Sequence, residues 1–121
     1  MKNLIRFTLV GSLIFVSFIF NPINAQITKN QIPADVMAVV RKTCVTCHME
    51  PGNKMALSHL NFSKWDEYKP EKKASKAKTI CKQVSKEKMH PKKFLKEHPE
   101  AIPTKEEVKA ICDWAAKMQN P

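Results

Sequence analysis

The run Cys44-Val45-Thr46-Cys47-His48 constrains this chain more than any other feature. Two thiols separated by two residues, with an imidazole directly after them, suit bonding to the two vinyl groups of one haem and holding its iron from one side. A chain that does this has to fold around a flat apolar group much larger than any side chain. Three other uses of the same residues are weaker. A thioredoxin-like redox pair needs a βαβ setting with its first Cys at a helix start, whereas here the pair follows a helical pattern and no strands are evident. A zinc site would want a second matching ligand pair, and Cys81 and Cys112 stand about 30 residues apart with no partner spacing. A plain disulfide between Cys44 and Cys47 leaves His48 unexplained. The motif is therefore read as the attachment site of one covalent haem c through Cys44 and Cys47, with His48 as the proximal iron ligand.

The rest of the chain has to supply a helical wrapping for that group. Only 2 glycines occur against 8 prolines in 121 residues, so the Gly-rich turns of a β-sandwich or of a nucleotide-binding βαβ unit are mostly missing. Residues 1–25 read as a signal peptide: Lys2 and Arg6 give a positive start, Phe7 to Phe20 is nearly all apolar, and Asn21 to Ala25 is a polar break ending on a small residue. The apolar run is about 14 residues, short of the roughly 20 that cross a bilayer as a helix, with an uncleaved membrane anchor as the minor alternative. No cysteine stands at the junction, which argues against a lipid anchor. The expectation is export to the periplasm, a short polar lead over 26–31, and one domain over 32–121.

Ile32-Pro33-Ala34-Asp35 opens a first helix, with Pro early and Asp35 favourable in the first turn, and Val36, Met37, Val39, Val40 and Cys44 share its apolar face. Met49 to Leu60 reads as loop, and Ser63 as the cap of a short helical turn closed by Pro70. From Glu71 to Lys88, Ala77, Ile80, Cys81 and Val84 form a narrow buried stripe on an otherwise Lys-rich helix. Met89 to Pro103 carries three prolines and is expected to be ordered but non-helical. Thr104-Lys105-Glu106-Glu107 matches a capping box before a last helix with Val108, Ile111, Cys112, Ala115 and Met118 on its apolar face.

A distal iron ligand has several candidates. Met89 is the first, because it sits between a helix and a Pro-rich segment where extended backbone can present a thioether. Met49 is too near the attachment site, Met55 and His59 lie in the loop that follows it, and Met37 and Met118 fit apolar faces where Met is packing. His90 and His98 remain as competitors.

These residues together resemble the haem-binding domain family of small exported bacterial c-type cytochromes, of the Bacteroidetes type. The matching runs are Ile32-Pro33-Ala34-Asp35-Val36, the Cys44 to His48 motif, Asn61-Phe62-Ser63-Lys64-Trp65 with Tyr68, Lys88-Met89-His90-Pro91, His98-Pro99-Glu100-Ala101 and Ile111-Cys112-Asp113-Trp114. In that family the later Met opens a Met-Pro-Pro run and is taken as the distal ligand, a role the resemblance gives to Met89. His90 stands where the family has its first proline, so a His ligand stays open as the alternative. The aromatic-rich stretch that the family often carries after the haem motif is replaced here by Gly52-Asn53-Lys54-Met55.

The expected fold is all-α, a cytochrome c-like domain wrapped around one covalent haem, with its first and last helices packed together. Cys81 and Cys112 each lie on a helical apolar stripe in an oxidising compartment, so a disulfide is favoured over two buried thiols and would add about 3 kcal/mol in the chain-entropy account. Trp65, Phe94 and Trp114 read as haem-pocket or core packing. The expected function is one-electron transfer by a monomeric periplasmic cytochrome that is not an enzyme. The alternative is a haem-based gas sensor or a peroxide-reactive haem protein, should the distal site be open. Losing Lys2 and Arg6 with the leader takes the formal charge from +10 to +8, which favours redox partners with an acidic docking face, or a membrane surface, over nucleic acid.

Overall fold

Pro33 sits just ahead of Ala34–Thr43, helix α1, where its fixed φ of −57° matches the entry to a helix and its missing N–H costs no intrahelical bond. Asp35 lies in the first turn and Arg41 and Lys42 in the last, each favourable to the helix dipole, while Val36, Val39, Val40 and Thr43 face inward. The structure, a computed structural model, describes residues 31–120. The leader expected over 1–25 and all but the last residue of the polar lead lie outside the described residues. Among the described residues there is no strand, and no helix is long and apolar enough to cross a membrane.

Val45–His48 forms a single-turn helix, α2, that continues from α1 after a break at Cys44. The expected loop over 49–60 contains a further short helix, α3, at Lys54–His59. Asn53 starts it, because its side-chain oxygen accepts from the N–H groups of Met55 and Ala56 at 3.0 and 3.1 Å. A 3-10 turn follows at Phe62–Glu67, and its cap is Asn61 rather than Ser63. Helix α4, Pro70–Ser85, begins with Pro at its first position and ends three residues before the expected Lys88.

The end of α4 has a physical cause. The N–H of Lys88 bonds the carbonyl of Gln83 at 3.0 Å and that of Glu87 bonds Val84 at 3.2 Å, the paired closure of a Schellman motif. The motif needs a left-handed residue after the helix, and Glu87 takes that conformation at φ 52° although it is not glycine. Beyond it, the segment expected to be non-helical holds α5, Lys92–Glu97, and a 3-10 turn at Pro99–Ala101. Pro91 and Pro99 begin these elements instead of breaking them, which is the position where proline is tolerated. Helix α6, Lys105–Gln119, carries the expected capping box, with Thr104 and Glu107 bonded reciprocally.

Ile80 and Ile111, with Val36 and Val40, are the largest fully buried side chains, so the core lies where α1, α4 and α6 meet. The tightest pair is α4 with α6, and α1 packs on α6 as expected for the first and last helices. Cys81 and Cys112 bring their sulfurs to 2.03 Å across the α4–α6 contact, the pairing favoured from the sequence. Trp65 and Trp114 are both buried, with ring centroids 5.6 Å apart, and serve as core packing.

Candidate functional site

Helix α2 carries Cys47 and His48, and its backbone is anchored to the core: the N–H groups of Cys47 and His48 both reach the carbonyl of Cys44, at 3.2 and 2.9 Å. The chain then reverses tightly, with Gly52 N–H on Met49 O at 2.8 Å and Asn53 N–H on Cys47 O at 3.1 Å. A Cβ at Gly52 would stand 2.5 Å from the Cys47 carbonyl oxygen and 2.7 Å from that of Met49, so this approach requires glycine. The reversal is pinned to the 3-10 turn: Glu50 N–H donates to Ser63 Oγ at 3.0 Å, and the Asn61 side-chain amide donates to the Glu50 carboxylate at 2.8 Å.

This clamp brings Leu60 to His48. The Nδ1 of His48 lies 3.0 Å from the Leu60 carbonyl oxygen. A carbonyl only accepts, so Nδ1 carries the proton and Nε2 of the neutral ring presents a lone pair. Metal-ligating histidines are oriented by bonds of this kind.

A cavity of about 710 Å³ opens beside that imidazole, within the 300–1,000 Å³ range of small-molecule sites. Cys47, His48, Leu60, Ile80 and Met89 are among its walls, Lys76 and Lys88 bring positive charge to it, and neither Asp nor Glu lines it. The structure therefore gathers three of the four haem residues expected from the sequence. Met89 lines the cavity two residues after the left-handed turn at Glu87 that closes α4.

Of the other candidates, Met55 and His59 share this cavity, and His90 and His98 do not line it. His90 holds its Nε2 2.6 Å from the Thr43 carbonyl oxygen, stacks on Phe94 at 5.6 Å, and lines a second cavity of about 500 Å³ that, among the described residues, shares only Met89 with the first. Phe94, expected as a possible pocket wall, lies instead between His90 and His98. His98 is exposed and paired with Glu100 at 3.1 Å. Met55 and His59 line the first cavity, and Met55 is 75% exposed. Lys76 donates to the His59 carbonyl and so fixes the end of α3 against α4. None of these backbone acceptors carries a sequence signal, whereas the Asn53 and Asn61 caps are of a residue type that favours that position.

Cys44 is the fourth expected residue. It is buried in the core, 3% exposed, with its sulfur 3.1 Å from the Thr43 hydroxyl, and it does not line the cavity. Burial pushes its thiol above the ordinary value; the bond to Thr43 opposes that rise and the nearby Cys47 adds to it. The residues fit a haem in three respects: a largely apolar slot of sufficient volume, an imidazole nitrogen not used by the Leu60 bond, and a thioether lining the same cavity.

The model of the haem-binding domain family matches residues 49–117, more than half of the chain. The match begins directly after His48, so it rests on the body of the fold and is independent of the Cys44 to His48 motif. No curated protein and no solved structure matches the chain. Motif, cavity and family match point the same way, and the chain belongs to the haem-binding domain family.

Proposed function

We propose that the protein is an exported, monohaem c-type cytochrome that carries single electrons between redox partners. The observation that supports this most is the convergence of Cys47, His48 and Met89 on one cavity while His48 is held at Nδ1 by Leu60. Cys44 and Cys47 would hold the haem by thioether bonds, and His48 and Met89 would serve as its iron ligands. Attachment at Cys44 requires its side chain to turn out of the core and away from Thr43.

The haem supplies an iron that takes up and releases one electron. The chain keeps that exchange cheap by fixing both ligands, His48 through the Leu60 carbonyl and Met89 through the closed end of α4. Leu60 and Ile80 give the slot apolar walls, which together with a thioether ligand would favour the reduced state. Lys76 and Lys88 draw an acidic partner toward the cavity, so the association rate falls with ionic strength. This reading assigns no catalytic residue, and it takes 1–25 as an export signal that directs the protein to the periplasm.

The test is to express the chain with a c-type maturation system, confirm covalent haem by mass, and record the reduced spectrum before and after carbon monoxide. An unchanged low-spin spectrum supports a carrier with both axial positions held. A prompt shift on adding the gas replaces the carrier by a gas sensor or a peroxide-reactive haem protein, and absence of covalent haem overturns the reading.

A further inference from the structure

We propose that Tyr68 is a positioning residue for His48, acting through the one peptide group that joins Leu60 to Asn61. The inference rests on His48 being an iron ligand. The carbonyl of that peptide accepts from His48 Nδ1 at 3.0 Å, and its N–H donates to the Tyr68 hydroxyl oxygen at 3.1 Å. Imidazole, peptide and phenol thus form a chain of two hydrogen bonds that runs from the site to a side chain 20 residues along the sequence. Leu60 and Asn61 are each only 6% exposed, so water is a poor replacement for either partner.

Every member of the chain is separately fixed. The Asn61 side chain accepts from Ser63 N–H at 2.9 Å and donates to Glu50 at 2.8 Å, which stops the peptide from rotating. The Tyr68 ring packs edge-on against Trp65 with centroids 6.0 Å apart, and the Lys72 ammonium lies 4.5 Å over its face. The hydroxyl is therefore delivered by packing that does not depend on the hydroxyl.

A peptide whose N–H is bonded is the stronger acceptor at its carbonyl, because successive hydrogen bonds polarise one another. A stronger bond at Nδ1 makes the imidazole a more basic ligand and stabilises ferric over ferrous iron. Removing the hydroxyl should shift the balance toward the ferrous state: at a fixed ambient potential the ferric to ferrous ratio falls about twofold, the size expected from a cooperative strengthening of 10–30%.

The experiment compares the haem-loaded protein with Tyr68→Phe by spectroelectrochemical titration, and follows both haem-free chains by amide hydrogen exchange at Asn61 and by the nitrogen shift of His48 Nδ1. Tyr68 is the only tyrosine, so growth on 3-fluorotyrosine weakens this oxygen alone and serves if Tyr68→Phe fails to fold. A lower ferric to ferrous ratio, faster Asn61 exchange and a shifted Nδ1 signal support the proposal. An unchanged ratio and Nδ1 signal in a folded, haem-loaded variant overturn it. If the unsubstituted chain takes up no covalent haem, it is the reading of His48 as a ligand that fails, while the exchange and Nδ1 measurements still decide whether Tyr68 is coupled to that ring.

Discussion

The α4–α6 pair and the segment from Cys44 to Tyr68 are held by different forces. Between α4 and α6, Ala77, Ile80, Val84, Ile111, Ala115 and Met118 are buried and the Cys81–Cys112 pair bridges the contact. The other segment contains helices of four and six residues and a 3-10 turn, too short to be stable by themselves, and its shape comes from directed bonds: Asn53 and Asn61 as caps, Glu50 on Ser63 and Asn61, His48 on Leu60. Apolar burial is tolerant of small shifts and supplies most of the stability; directed bonds supply little net energy but fix atoms in place. Stability and site geometry should therefore respond to different substitutions.

The largest expected effect is on the first region. Ile111→Ala leaves a cavity in the fully buried core and should cost about 2–5 kcal/mol in urea unfolding, while covalent haem uptake by the protein that remains folded is unchanged. Replacing Cys81 and Cys112 together by Ser should cost about 3 kcal/mol, again with the reduced spectrum preserved. A lost spectrum in either variant would mean that the two regions are not separable.

Gly52→Ala probes the other side. Its new Cβ meets the Cys47 carbonyl oxygen at 2.5 Å, so a cost of about 1–3 kcal/mol is expected, with a disproportionate loss of haem attachment because α2 itself must shift. Glu87→Gly relieves a left-handed non-glycine residue and should stabilise by about 1 kcal/mol, measured as a higher urea midpoint. Because Met89 follows two residues later, the carbon monoxide test on the same variant shows whether that strain matters to the distal ligand.

The smallest effect is electrostatic. Glu107 accepts from Lys42 and from Thr104 N–H, at 2.7 Å in each case, and these bonds, Lys42 first, hold its carboxyl below the ordinary carboxylate value. A lowered folded pKa contributes stability at and above the ordinary carboxylate range and loses it as pH falls through the folded value. Glu107→Gln should thus lower the unfolding free energy in urea at neutral pH by less than about 1 kcal/mol, and the difference from the parent protein should vanish in acid. A difference that persists in acid would assign the effect to the capping geometry and not to the charge.

Much of the first region was legible in the residues: the apolar stripes of α1, α4 and α6, the capping box at Thr104 and the Cys81–Cys112 pairing are each signalled by residue type and period. The second region was legible only at its motif. Pro91 and Pro99 read as breakers because proline has two opposite meanings, set by whether a helix turn precedes or follows it. Asn61 displaced Ser63 as a cap because both are good caps two residues apart and the fold chose between them. The burial of Cys44 against Thr43 and the bond from His48 to Leu60 depend on how distant segments meet, and backbone carbonyls are identical in every residue.

That last point bears on how this site can change over generations. Main-chain oxygens of Thr43, His59 and Leu60 hold His90, Lys76 and His48 respectively. Substitutions at 43, 59 and 60 leave those oxygens in being, whereas inserting or deleting one residue between His48 and Leu60 puts a different carbonyl, or none, before the imidazole. The spacing of the segment is therefore inherited more strictly than its spelling, and variants of different loop length are where the arrangement should first be lost.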